Sequence, residues 1–240
     1  MERTMKYSVL MPYYMRSKLF LNTVVSLLHH YGGREDFEVI VIEDPKNSDE
    51  EKKALSCLPP FIKVVSSPFR SLNPAQAFNM GAGLANGEFL VLTNPECFHQ
   101  TNILSGLDRH FSIMRRQYVV CACMNIHEYQ FGIKNFGELK YTPLDWYQHT
   151  KHNNRLLHFC SALPKDLFLE IGGFDEEYKD GVCYEDADFR EKLIKSGIPM
   201  TPDDDLVTLH LAHSRDYQNE DMSLVHKNEE IYFRKWGKRC

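Results

Sequence analysis

Four short runs in the first hundred residues are apolar at nearly every position rather than at alternate ones. They are Tyr7-Ser-Val-Leu-Met11, Glu38-Val-Ile-Val-Ile42, Ile62-Lys-Val-Val65 and Phe89-Leu-Val-Leu-Thr93. A strand with that pattern has no face left for water, so its sheet must be covered on both sides. The spacers supply the cover. From Ser17, read as an N-cap, Leu19, Phe20, Thr23, Val24, Leu27 and Leu28 recur at helical spacing until Gly32-Gly33. Ala75 to Ala85 is a second helical stretch, and Pro12 marks the expected end of the first strand. This alternation predicts an α/β fold with a Rossmann-type, mostly parallel central sheet flanked by helices. A further helix is expected near Ile103–Arg116 and a strand over Tyr118–Cys123. No repeat, low-complexity tract or long linker intervenes, so the 240 residues read as one domain.

From Asn125 to His158 the pattern breaks into Asn, His, Tyr and Gly without a period. A long irregular segment inside a compact domain is usually functional or mobile. It either shapes a binding site or is a surface excursion around its own small apolar cluster. The tail from Asp221 predicts a closing helix with Leu224, Val225, Ile231, Tyr232 and Trp236 apolar. Its basic end, Arg234 to Arg239, suits the negative end of a helix or, at most, peripheral membrane contact.

Composition narrows the classes. A net charge of -5 lacks the basic excess of a dedicated nucleic-acid binder. No apolar run approaches the length of a membrane span. Met1–Lys6 leads straight into a strand pattern, without the apolar core of a secretory signal. Seven cysteines form no CxxC pair, and the odd count fits no full disulfide set. Cys121 and Cys123 fall in an apolar strand pattern and read as buried small residues. Reduced thiols and a cytoplasmic location are the expectation.

In open α/β sheets ligands bind beyond the carboxyl ends of strands, so the residues that close each run matter most. The first run continues as Met11-Pro12-Tyr13-Tyr14-Met15-Arg16 and the second as Glu43-Asp44-Pro45. The fourth ends in Asn94-Pro95-Glu96, after a helix that carries Asn79 and Gly81 and is preceded by Asn73. Such tips offer aromatic faces and carboxylate acceptors to a ligand, and Glu96 is a hard oxygen ligand. Each has a plain alternative as a turn or a solvated strand end. Further on stand Gly172-Gly173-Phe174-Asp175-Glu176-Glu177 and Tyr184-Glu185-Asp186-Ala187-Asp188. Glu185 and Asp186 open a predicted helix, whose dipole favours carboxylates and should lower their pKa. His210-Leu-Ala-His213-Ser-Arg215 follows the apolar run Leu206–Leu209.

In this order the segments resemble glycosyltransferase family 2, the nucleotide-sugar transferases of GT-A fold. The resemblance covers roughly residues 6–100 and 158–215. It implies a donor-binding part over about 1–123 and an acceptor and catalytic part over about 124–240. By resemblance, Pro12, Tyr13, Tyr14, Arg16, Glu43, Asp44, Asn73, Asn79 and Asn94 contact the nucleotide sugar. Tyr14 stands where the family usually has asparagine. Asn94 and Glu96 stand where an Asp-x-Asp pair usually holds the metal. The implied metal ligands are Glu96 and His210, ahead of His213, for Mn²⁺ or Mg²⁺. Arg215 could meet a phosphate or be a surface charge. The implied base is Asp186, with Glu185 holding acceptor or sugar. The expected activity is metal-dependent, inverting transfer from a nucleotide diphosphate, a UDP-sugar first, to a glycan, lipid-linked or other hydroxyl. A second class keeps the fold and the nucleotide sugar but has lost turnover. A nucleotidyltransferase would need a glycine-rich loop after the first strand, and Met11–Arg16 has no glycine.

Overall fold

In a computed structural model, residues 5–70, 73–126, 141–213 and 222–238 are described. The chain runs β1 (Tyr7–Tyr13), α1 (Ser17–Tyr31), β2 (Phe37–Glu43), α2 (Asp49–Ala54), β3 (Ile62–Ser66), α3 (Ala75–Leu84) and β4 (Phe89–Thr93). It continues with β5 (Cys97–His99), α4 (Ile103–Ile113), β6 (Tyr118–Ile126), β7 (Trp146–Gln148), β8 (Cys160–Pro164) and α5 (Lys165–Glu170). A 3-10 turn at Glu176–Asp180, α6 (Glu185–Lys195), β9 (Met200–Leu211) and α7 (Met222–Trp236) follow. The sheet order is β3-β2-β1-β4-β8-β6-β9-β5, with β7 on β6. The half from β3 to β4 is parallel; β8 runs antiparallel to β4 and β6, and β6 returns parallel to β9.

Consecutive apolar residues do serve both faces. Val9, Met11, Val39, Val41 and Val91 join Phe20, Val24 and Leu27 of α1 and Leu104 and Leu107 of α4. Their neighbours Leu10, Ile40, Ile42, Leu90 and Leu92 join Phe78, Phe168, Phe174 and Phe189 on the other side. Each such side chain, fully buried, contributes about 1.5–3 kcal/mol. Gly81 lets α3 lie close on the sheet, since a Cβ there would come within 3.3 Å of Leu10.

Two local expectations are corrected. Pro12 does not stop β1, which runs on to Tyr13 in register with Glu43. Asp44 N–H donates to the Tyr13 carbonyl, so Tyr13 bonds toward β2 and Pro12 faces β4. There the ladder has already ended at Leu10 and Leu92, and no N–H is missed. Ser17 is the first helical residue rather than the cap. Its N–H and hydroxyl donate to Glu51 of α2 at 2.9 and 2.8 Å, so a carboxylate from another element closes the helix start.

The irregular middle has its own small cluster: Trp146 packs with Ala122, Met124, Ile126, Leu209 and Leu211. Residues 127–140 lie outside the described residues. Opposite Cys121 and Ala122, β9 breaks register, passing from Asp203 to Val207. Asp204, within the interruption, receives Thr150 N–H at 3.0 Å and ties the middle segment down. Cys97, Cys121, Cys123 and Cys160 are buried free thiols.

Candidate active site

A cleft of about 230 Å³ opens over the carboxyl ends of the parallel strands. Pro12, Tyr13, Tyr14, Arg16, Asp44, Asn73, Asn94 and Glu96 all line it, as do Ser67 and Phe69. The β1–α1 turn that forms one lip is pinned by Asn47. Its amide accepts from Met15 N–H at 2.9 Å and donates to the Tyr13 carbonyl at 3.3 Å, holding Met15 in a left-handed conformation. Tyr13 is buried and gives its hydroxyl to Glu51 at 2.6 Å, whereas Tyr14 is 42% exposed at the mouth.

Two expected cleft residues point elsewhere. Side chains alternate along a strand, so at the end of β2 Asp44 lines the cleft while Glu43 takes the other side. There Glu43 accepts from Ser66 at 3.0 Å. Asn79 is spent on the Gly172–Phe174 turn, donating to the Phe174 carbonyl at 2.9 Å and accepting its N–H at 2.9 Å. Asn73 does line the cleft, accepting from Ala75 N–H and donating to the Tyr178 and Gly181 carbonyls.

At the far lip three side chains of types able to ligate a metal converge. β9 lies between β5 and β6, with His210 opposite Cys97 on one side and Asn125 on the other. Leu211 N–H donates to the Glu96 carbonyl at 2.9 Å. Sheet register therefore brings residues more than a hundred positions apart side by side. His210 and His213 reach Glu96 Oε1 with Nε2 at 3.9 and 3.6 Å. Potential ligand atoms of all three lie within 4.8 Å of one another. His210 was expected ahead of His213; both converge on Glu96. Asn125 Oδ1 meets His210 Nδ1 at 2.9 Å, which turns Nε2 toward Glu96. Burial pushes the Glu96 carboxyl up, but His213, His210 and Arg16 outweigh it and hold it below the usual range. One carboxylate and two imidazoles form a donor set that suits a divalent ion of the Mn²⁺ type. Arg215 lies outside the described residues.

The acid pair stands at the start of α6. Glu185 is buried, its Oε2 has no hydrogen-bond partner among the described residues, and burial plus Asp186 push its pKa up to about 8. The dipole expectation fails for Glu185 because desolvation outweighs the helix end. Asp186 is half-buried and accepts Ala187 N–H at 2.7 Å. Between the acids and the histidines comes the entry to β8. His158 is buried edge-on to Phe78 and Phe174, and burial pushes its pKa down to about 4 although the Asp186 charge opposes this. Phe159 sits edge-on to His210 at 5.6 Å and 4.2 Å from Tyr147. The sequence pattern does not single out Ser67, Phe69, Asn125, Tyr147, His158 or Phe159. The one available signal is the His-Phe pair leading into the apolar run Cys160–Pro164.

A family model described as glycosyl transferase family 2 matches residues 8–172. The chain belongs to glycosyltransferase family 2. Among solved structures, this family member is similar to the mannosyltransferase PcManGT from Pyrobaculum calidifontis, in complex with GDP-Man and Mn²⁺. The TM-score is 0.68 at 17% identity, over 98% of this chain and 66% of that one. S. aureus TarS 1-349 in complex with UDP gives a TM-score of 0.62 at 18% identity, over 98% of this chain and 72% of that one. GalNAc-T7 with UDP, GalNAc and Mn²⁺ gives 0.68 at 17%, over 98% and 49%. At these identities the likeness establishes the GT-A fold. The chain spans just under two thirds of the mannosyltransferase's length and about half of GalNAc-T7's. No curated protein matches the sequence. No helix among the described residues is long and apolar enough to cross a membrane.

Proposed function

We propose that this family 2 member transfers a sugar from a nucleotide diphosphate donor, a UDP-sugar first, to an acceptor hydroxyl with inversion. The observation that carries this reading is the convergence of Glu96, His210 and His213 at the lip of a cleft lined by Tyr14, Asp44 and Asn94. Asp44 accepts an N–H from the base, Tyr14 covers it, and Asn73 and Asn94 offer polar contacts to the rest of the donor. Glu96 with the two imidazoles holds a divalent ion, Mn²⁺ ahead of Mg²⁺. When bound, that ion offsets the charge developing on the departing diphosphate. Glu185, with a pKa near 8, is neutral at pH 7 and serves as a hydrogen-bond donor that steadies acceptor or sugar. Asp186 takes the acceptor's proton. The donor part is then built by the first half of the chain and the acceptor part by the second.

Turnover of a nucleotide-sugar panel, with and without Mn²⁺, tests the reading. Glu96→Ala should abolish metal-dependent UDP binding and leave the circular dichroism spectrum unchanged. Equal calorimetric binding by both proteins, with and without EDTA, would overturn the metal assignment. Asn94, where the family carries a carboxylate, favours a second reading as a nucleotide-sugar binder without turnover. Donor binding in the absence of any hydrolysis or transfer would select it.

A further inference from the structure

Asp186 and Glu185 follow a stretch of backbone in an unfavourable conformation. Cys183 and Tyr184, immediately before them, both have left-handed φ values, 65° and 72°. Residues with a Cβ keep that conformation where their surroundings over-determine it. Here the surroundings are α7, which no motif in the chain connects with activity and which follows the stretch matched by the family model. Asn228 of α7 is completely buried, and its amide straddles the loop, donating to the Tyr178 carbonyl at 3.1 Å and the Cys183 carbonyl at 2.9 Å. Val182 N–H donates to the Leu224 carbonyl at 3.1 Å. A Cβ on Gly181 would overlap Asn228 Oδ1 and the Leu224 carbonyl, so the helix lies directly on the loop.

Two turns further on, the same helix grips α6. Trp236 Nε1–H donates to Asp188 Oδ1 at 2.9 Å, and Lys235 pairs with both Asp188 and Asp175. Asp188 is completely buried and also accepts from the Tyr178 hydroxyl at 3.2 Å. Arg234 and Lys238 pair with Glu177 and Glu191. The basic end expected to suit a helix terminus or a membrane surface thus meets acids of this same region. From the cleft side, Asn73 donates to the same Tyr178 carbonyl that Asn228 uses, and to Gly181. The loop 178–184 is therefore gripped by two asparagines, one in the cleft wall and one in α7.

We propose that α7 is a clamp that presents the acid pair, with Asn228 as its positioning residue. This rests on the reading of Asp186 as the base. In Asn228→Ala, kcat should fall at least tenfold, while the donor KM and the UDP dissociation constant stay within twofold. Amide hydrogen exchange of residues 182–187 should accelerate, with the parallel strands unchanged. Trp236→Phe keeps an aromatic ring but not the bond to Asp188, and should lower kcat several-fold with the same unmoved donor KM. It carries the test if Asn228→Ala does not fold. A helix with a purely structural role would lower the melting temperature and leave kcat in place, and that result overturns the proposal. Loss of donor affinity in parallel with kcat would overturn it too. No transfer by the unmodified protein would count against the functional reading alone; unchanged exchange at 182–187 in Asn228→Ala would count against the clamp alone.

Discussion

The two parts of the candidate site are held by different chemistry. Glu96 and His210 hang on backbone: β9 is laddered to β5 and β6, and Leu211 N–H reaches the Glu96 carbonyl. Asp186 hangs on side chains: Asn73, Asn228, Lys235 and Trp236 fix the loop and helix that carry it. A ladder spreads its hold over many interchangeable peptide groups, whereas a side-chain network concentrates it in a few atoms. The end with Glu96 and the histidines should therefore be damaged at those side chains and their direct partners. The acid end should be damaged from far away.

The largest expected effect is at the acid end. Asp186→Asn is nearly isosteric and should cost about 10²–10⁴-fold in turnover with UDP binding intact, as read by steady-state kinetics beside calorimetry. Near-normal transfer in that variant, with loss in Glu185→Gln, would move the base to Glu185. At the other end, Asn125→Ala removes the partner that orients His210 and should weaken Mn²⁺ binding about 10–100-fold. Its melting temperature should stay close to that of the unmodified protein, because the ladder remains. A large drop in melting temperature there would erase the contrast between the two ends.

A pH series sharpens the same comparison. Glu185 titrates near 8 in the folded chain against an ordinary value of 4.5. Between those values the unfolded chain has released this proton and the folded one has kept it, so stability falls as pH rises through the window. Glu185→Gln carries no such proton. Its melting temperature relative to the unmodified protein should climb from about pH 4.5 to about pH 8 and then level off. A difference that does not change with pH would mean that Glu185 is ionised in the folded state. The smallest effect is expected from Glu51→Ala, which uncaps α1 and should cost about 0.5–2 kcal/mol in chemical denaturation.

The parallel half was legible because burial on both faces leaves its trace in consecutive apolar residues, as in Val39–Ile42, and because strand tips are where ligands sit. Glu96 is legible as a strand-tip carboxylate after Thr93 and, by resemblance, as a ligand. Its closeness to His213 is not, since it depends on the order of β5, β9 and β6, which no local pattern encodes. Glu43 and Asn79 do not line the cleft, for a related reason. Their types suit a donor site, but strand alternation turns Glu43 away and the Phe174 turn consumes Asn79. The raised pKa of Glu185 leaves no trace in the sequence, because a helix start is visible there and burial is not.

The interruption in β9 changes less than its length suggests. Cys121 pairs with Asp203 and Ala122 with Val207, so three residues of β9 are left without partners on β6. Partners in register share a face, and successive residues change face. Where β9 re-enters the ladder, Val207 takes the face of Ala122, whatever the length of the excursion before it. His210, opposite Asn125 and Cys97, takes its side from that register and not from the number of residues skipped. The interruption takes up a difference in length between two strands and leaves the address of the imidazole unchanged.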